Sequence, residues 1–413
     1  GLSNRRGYRR IVATVRTRHL ALVEKLPLNA NERTSLNANI DNLLFDMLDI
    51  CQSMSDYATE DSVPQQTIDA VIGVGEQLAA RIVAALIRSK DLRSVHIDAT
   101  QIVITDDQFG NARPNLEATR QRMIGDVLPM LERGIIPVIT GFIGSTPDGR
   151  PTTLGRGGSD YTASVAAACL DADEVWMWTD VDGMMSTDPR EFPAAQVINE
   201  LSYEEVAELA YFGARIVHTN MIGLLRQRNI PLCIKNVYRP QQPGTLIHAI
   251  SNSDQNRIKA VTSIQGVGLT ATRSGSMAKI YELIDSAVKE STGSPADVTI
   301  SAQSSARTFI CVVIPPHIGP EGTSNTQQKL VQYLDNDPEV ADWEIELVGV
   351  ITVIGRGISE YPRLIARIFD VLDDMPVLAM SQGPDAYNLS LVVNLADAQT
   401  AVERLHVMTI ESE

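Results

Sequence analysis

Apolar and polar positions follow two periods along this chain, and the change from one to the other marks its elements. Over residues 8–26 and 33–54 the apolar side chains (Ile11, Val15, Leu20, Leu22 and Val23; then Leu43, Leu44, Met47 and Leu48) keep helical spacing. A third helical stretch covers residues 65–89 and contains Gly73-Val-Gly-Glu76. Short apolar runs at 95–97 and 102–105 predict strands. Next come a helix over 115–133, a strand over 135–142, an alanine-rich helix over 161–170 and a second buried strand over 174–180. The βα alternation continues to residues 233–236. It predicts an αβα sandwich around a mainly parallel sheet, over residues 1–248. The polar residues 249–257 read as a linker.

Beyond the linker the pattern repeats itself. Residues 278–284 (AKIYELI) echo 366–372 (ARIFDVL), and 300–310 echo 380–389. Runs of Val and Ile at 311–314 and of Leu and Val at 390–393 follow in register. Each copy reads strand, helix, strand, strand, helix, which predicts two small α/β units over residues 249–338 and 339–413.

Composition narrows the field. The chain has 413 residues, 44% hydrophobic and 21% charged, which suits an ordinary globular protein of two or three domains. A net charge of −16 argues against nucleic-acid backbones and anionic membranes as partners, because both select basic surfaces. Any anionic substrate must then be held by local cations. The four cysteines (Cys51, Cys169, Cys233, Cys311) lack metal-type spacing, and no metal site is expected. They read as buried free thiols, which suits a reducing cytoplasm. We expect no membrane span and no signal peptide.

The chemistry concentrates after the strand at 135–142. Residues 141–160 (GFIGSTPDGRPTTLGRGGSD) lead from that strand through a glycine-rich loop into a helix. Glycine lets the backbone approach an oxyanion closely, and the helix N-terminus favours phosphate or carboxylate. Ser159 is expected at the N-cap and Asp160 in the first turn. Arg156 adds a fork-shaped cation matched to a carboxylate. The strand at 174–180 ends in Thr179-Asp180 and opens into a polar loop carrying Asp188 and Arg190. Ligand sites of open α/β sheets lie at the carboxyl ends of strands, and two adjacent polar loops there make a candidate site. Ser202 and Glu205 fit a capping box, a purely structural device.

Four segments carry a family resemblance: LGRGGSDYTA (154–163), WTDVDG (178–183), STDPR (186–190) and LSYEEVAELAYFGARIVH (201–218). Their order and spacing resemble aspartate kinase, of the amino-acid kinase superfamily, and the tail resembles a pair of ferredoxin-like (βαββαβ) ACT modules. The resemblance implies phosphoryl transfer from ATP, with Mg²⁺, to the β-carboxylate of L-aspartate. That product, 4-phospho-L-aspartate, opens lysine, threonine and methionine biosynthesis. It further implies feedback by lysine or threonine and at least a dimer formed through the tail. The nucleophile is a carboxylate already ionised at neutral pH, so catalysis rests on positioning and charge stabilisation. Arg156 is expected to hold the α-carboxylate and Glu76 the ammonium group. Gly157, Gly158 and Ser159 complete the substrate site, and Asp160 orients catalytic cations. Thr179, Asp180, Asp188, Arg190 and Arg215 are expected at the nucleotide. Met185 and Arg215 stand where relatives often carry Tyr and Lys, and His218 is read as helix packing. In the tail, Gln303 and Gln382 share a repeat position with Asn388 nearby, and their amides suit a zwitterionic effector.

Two departures from the family pattern accompany this. Aspartate kinases open with a strand and a Lys-Phe-Gly-Gly-Thr-Ser-type loop, and no Lys-x-Gly-Gly occurs in residues 1–413. The expectation is a reading frame that continues upstream of Gly1 with that loop, and little turnover by residues 1–413 alone. The first tail unit is also shorter than the second, by six residues between 269–280 and 351–368. The alternatives are another amino-acid kinase, or a non-catalytic subunit that binds amino acids through its tail. A fused homoserine dehydrogenase domain, found in some relatives, is left open.

Overall fold

The computed structural model describes residues 7–57, 63–213, 217, 219–249, 258–271, 276–314, 318–337 and 343–410. The chain divides into two compact units: Gly1–Val175 with Asn220–Leu232, and Trp176–Thr219 with Cys233–Glu413.

The first unit opens with two helices, α1 (Gly7–Lys25) and α2 (Ala30–Tyr57), where the apolar spacing places them. The stretch expected as a third helix is divided at Gly73 into α3 (Gln65–Ile72) and α4 (Val74–Arg88). By length and hydropathy Gln65–Arg88 would pass for a membrane span, unlike the expectation above. It is instead a core element: Val74, Leu78 and Ala85 join Val12, Ile40 and Leu44 in one apolar cluster. Asp69, 1% exposed, accepts from the backbone N–H groups of Gly110 (2.7 Å) and Thr153 (2.9 Å). A buried carboxylate needs such partners, and here they tie two distant segments to α3.

Strand β1 (Ser94–Ile97) pairs in parallel with β2 (Ile136–Ile139). The helical segment between them is broken at Val127 into α5 (Leu116–Asp126) and α6 (Leu128–Glu132). The strand expected at 102–105 does not form; Ile104 and Thr105 make isolated bridges to Ser145 and Pro114. The glycine-rich loop also contains an unforeseen hairpin, β3 (Ile143–Ser145) and β4 (Pro151–Thr153), closed around Thr146-Pro-Asp-Gly149. Turn residues inside a loop are a hairpin signal, but three-residue strands give too little alternation to read. Helix α7 (Gly158–Leu170) follows, its Val165, Ala168 and Cys169 packing against Ile97, Val103 and Met123.

The second unit begins along β5 (Val175–Thr179) and continues through β6 (Glu200–Ser202) and α8 (Tyr203–Tyr211). Helix α9 (Thr219–Arg228) precedes β7 (Leu232–Asn236) and β8 (Thr245–His248). The four strands form a sheet in the order β5-β7-β8-β6, with β6 and β8 parallel. Contrary to expectation, β5 is not buried on both faces: Trp176 and Trp178 are 49% and 45% exposed. Strand alternation puts both indoles on one face, where the Lys235 ammonium lies 4.8 Å from the Trp176 ring centre.

The tail runs β9 (Ala260–Ala271), α10 (Met277–Thr292), β10 (Asp297–Gln303), β11 (Thr308–Val313), α11 (Gly319–Asp335), β12 (Trp343–Ile354), α12 (Pro362–Leu372), β13 (Ala379–Gln382), β14 (Asn388–Asn394) and α13 (Ala398–Ile410). The repeat is therefore real in three dimensions. One antiparallel sheet, β10-β11-β9-β12-β14-β13, carries both copies. Strands β9 and β12 pair along twelve residues and serve both halves. The order β10-β11-β9-β12 is the ferredoxin-like arrangement of the first copy, and β13-β14-β12-β9 is its counterpart with the shared strand contributed from outside. Two separate cores lie beneath. Val267, Ile280 and Ile310 build the first, and Val261, Ile351, Leu389 and Leu405 the second.

Candidate functional site

Helix α7 begins at Gly158, two residues earlier than a Ser159 cap would place it. Gly157 is the N-cap, at φ 69°, so Ser159 is not the cap but sits inside the first turn, and no side chain caps this end. The left-handed backbone explains the glycine. The uncapped end leaves N–H dipoles directed at the loop, a favourable setting for an anion. Gly141 permits the close approach of the preceding strand: a Cβ there would lie 2.7 Å from Ser159 Cβ.

These features bound a cavity of about 320 Å³ lined by Glu76, Phe142, Gly155, Arg156, Gly157, Gly158, Ser159 and Asp160. The five residues expected at the substrate and Asp160, expected to orient cations, are thus brought together, from α4, the end of the loop and the start of α7. Phe142 and Gly155 line the cavity as well and were missed; their signal was the positive backbone angle each adopts, φ 69° and 74°, which composition does not encode for a phenylalanine. Arg156 is exposed and makes no hydrogen bond or ion pair with the described residues, so its fork is open to a ligand. Glu76 is half-buried, and burial raises its carboxyl above the ordinary range while the Ser159 hydroxyl, donating at 3.5 Å, pulls it down. The lining therefore offers a carboxylate, a guanidinium and a helix N-terminus. That pair of opposite charges matches an amino acid's ammonium and carboxylate.

The residues expected at the nucleotide lie in the second unit. Thr179 and Asp180 end β5, with the two side chains 3.3 Å apart. Asn236, at the end of β7 and 2% exposed, donates to Asp182 Oδ1 at 2.7 Å and to the Asp180 carbonyl at 3.4 Å. Arg239 pairs with the same Asp182 at 2.7 Å. Asp182, Asn236 and Arg239 were not singled out from the sequence, although Asp182 stands within WTDVDG. Asp188 and Arg190 form a fork-to-carboxylate pair at 2.6 Å within one turn, and the Asp188 carboxyl is held below its usual range by that arginine. Arg215 and His218, and nearly all of the linker, lie outside the described residues.

In the tail, Gln303 and Gln382 occupy equivalent ends of β10 and β13, and both are exposed. Asn388 differs: it is buried, its amide donates to Glu208 on α8, and its Oδ1 accepts from Gly383 N–H at 3.1 Å. Burial raises the Glu208 carboxyl, and the Asn388 bond partly offsets this.

Fold and site together define an α/β domain with a cavity of amino-acid size at a helix N-terminus, followed by a tail of paired ferredoxin-like units. Residues 16–236 match the amino acid kinase family model, and residues 351–408 match an ACT domain model. The chain belongs to the amino acid kinase family. It is 28% identical to lysine-sensitive aspartokinase 3 of Escherichia coli over 352 residues, 82% of this chain and 74% of that one. The solved E. coli aspartokinase III with aspartate and ADP superposes with a TM-score of 0.71 at 25% identity, over 97% of this chain and 86% of that one. The same enzyme with lysine and aspartate gives 0.77 at 25% identity, over 96% and 85%.

Proposed function

We propose that this chain is an aspartate kinase that transfers the γ-phosphoryl group of ATP to the β-carboxylate of L-aspartate, under feedback control through its tail. The observation that carries the reading is the cavity of amino-acid size at the start of α7, lined by both Glu76 and Arg156. Arg156 holds the α-carboxylate in a bidentate pair, and the Glu76 carboxylate takes the ammonium group. Gly157, Gly158 and Ser159 cradle the ligand with backbone N–H groups. The β-carboxylate is then left unheld as the nucleophile. Asp160 faces the same cavity and orients cations there. On the second unit, Thr179, Asp180, Asp188, Arg190 and Arg215 serve the nucleotide. Mg²⁺, when bound, would supply charge neutralisation for the transferred phosphoryl group. Such an ion is held largely by phosphate oxygens and water with one or two carboxylates, so a single Asp160 suits it and no protein cage is needed. The units at 249–338 and 339–413 bind lysine or threonine, with Gln303 and Gln382 as the exposed amides, and associate across subunits. Four free cysteines suit the reducing cytoplasm.

Arg156→Ala tests the substrate assignment. Loss of one partner of a desolvated charged contact costs roughly 2–5 kcal/mol, so L-aspartate affinity should fall at least about 30-fold, at about 1.4 kcal/mol per decade. Calorimetric MgATP affinity should hold. Collapse of MgATP binding with aspartate binding intact would move Arg156 to the nucleotide site.

A further inference from the structure

The turn that carries Asp188 and Arg190 stands on the C-terminal unit. At its leading end, Ser186 is 5% exposed and uses every polar atom it has. Its N–H donates to the Gln196 carbonyl at 2.8 Å, and its Oγ accepts from the Gln196 N–H at 2.9 Å. Its carbonyl accepts from Val261 N–H, on β9, at 2.8 Å. The remaining hydroxyl valence meets His406 Nε2, on α13, at 2.8 Å. Because Oγ already accepts from Gln196, its hydrogen is free to donate to the imidazole. His406 is 4% exposed, and burial lowers its pKa, which keeps the ring neutral and able to accept.

At the trailing end, Phe192 is 6% exposed and packs into the apolar core with Ile258, Val261, Ile351, Leu389 and Leu405. Its N–H donates to the Asp188 carbonyl at 2.9 Å. Between these anchors the turn reaches solvent, and the Arg190 side chain is 87% exposed. A surface turn whose two feet are set in one core takes its position from that core. The contacts are buried and discrete, so a shift of α13 or β9 is passed to the turn rather than absorbed.

We propose that His406, through Ser186, is a positioning residue for the Asp188–Arg190 turn and thereby for nucleotide affinity. The inference rests on the reading that this turn meets the nucleotide. His406 and Ser186 touch no substrate; they act only through the turn.

The test measures MgADP and L-aspartate affinities by calorimetry on the whole chain, for the wild type, His406→Ala, His406→Gln and Ser186→Ala. Loss of one hydrogen bond of ordinary strength weakens MgADP binding about three- to tenfold in both alanine variants. L-Aspartate affinity stays within about twofold of wild type, since the cavity at α7 is untouched. His406→Gln, whose amide oxygen reaches about as far as Nε2, restores MgADP affinity. Ser186→Ala removes a single oxygen and keeps the comparison alive if His406→Ala does not fold. Wild-type MgADP affinity in Ser186→Ala and His406→Ala, or equal weakening of both ligands, overturns the inference. A wild-type chain that binds MgADP but not L-aspartate would instead overturn the functional reading, and the nucleotide comparison would still decide this one.

Discussion

Burial raises the Glu76 carboxyl above the ordinary glutamate value of 4.5, and this has a measurable sign. In the free protein a raised carboxyl contributes stability below the unfolded value, and that stability is lost as pH climbs through the folded one. Ligand binding runs the other way, because the substrate ammonium needs the ionised form. L-Aspartate affinity should therefore strengthen as pH rises from about 4.5 towards neutrality, with its midpoint above the ordinary glutamate value. Glu76→Gln should flatten that profile and weaken binding at neutral pH. An unchanged profile in Glu76→Gln would remove Glu76 from the ammonium site. At this scale the sequence was informative where chemistry and position coincide: Arg156 and Glu76 both face the cavity. It was silent on Phe142, because nothing in a phenylalanine announces φ 69°. It was silent on Asp69 too, whose partners are backbone N–H groups 41 and 84 residues away.

Among the elements, local signals survived and tertiary ones did not. The Ser202–Glu205 capping box forms as its spacing requires, with both reciprocal bonds present. Helices α1 and α2 follow their apolar stripes. The strand expected at 102–105 failed because its partners across the fold offer two isolated bridges rather than a ladder. The start of α7 moved to Gly157 because a left-handed residue ends the loop there, which overrides the capping preference of Ser159. In the tail, strand ends decide which amides are available. Asn388 spends its amide on Glu208 and Gly383, whereas Gln303 and Gln382 face solvent. We therefore expect lysine or threonine to raise the melting temperature of the chain by mass action on the folded state. Gln382→Ala should reduce that shift, and Asn388→Ala should lower stability without acting on the shift selectively. Absence of any shift with either amino acid, alone or together, would contradict the effector assignment.

At the scale of the whole molecule the repeat was legible, and the way it is assembled was not. Sequence echoes identify two copies, but only pairing reveals that β9 and β12 belong to both. The second compact unit likewise joins residues 176–219 to the tail. Long-range contacts explain it: Ser186 with His406, Phe192 in the tail core, Glu208 with Asn388, and the Tyr211 hydroxyl donating to Asp297 at 2.9 Å. None follows from periodicity, since each partner is a single side chain on an otherwise ordinary helix, strand or turn. A tail-bound effector acts on this turn only if it binds two arrangements of the tail with different affinity. The central claim remains that the α7 cavity recognises the two charged ends of L-aspartate. Its most direct test is a calorimetric titration of the chain, with MgADP present, by L-aspartate and by succinate, which keeps both carboxylates and lacks the ammonium group. The account predicts saturable L-aspartate binding at one ligand per chain, and succinate weaker by at least about 30-fold, the cost of leaving Glu76 facing no cation. Succinate binding as tightly as L-aspartate, or no L-aspartate binding at all, would contradict it.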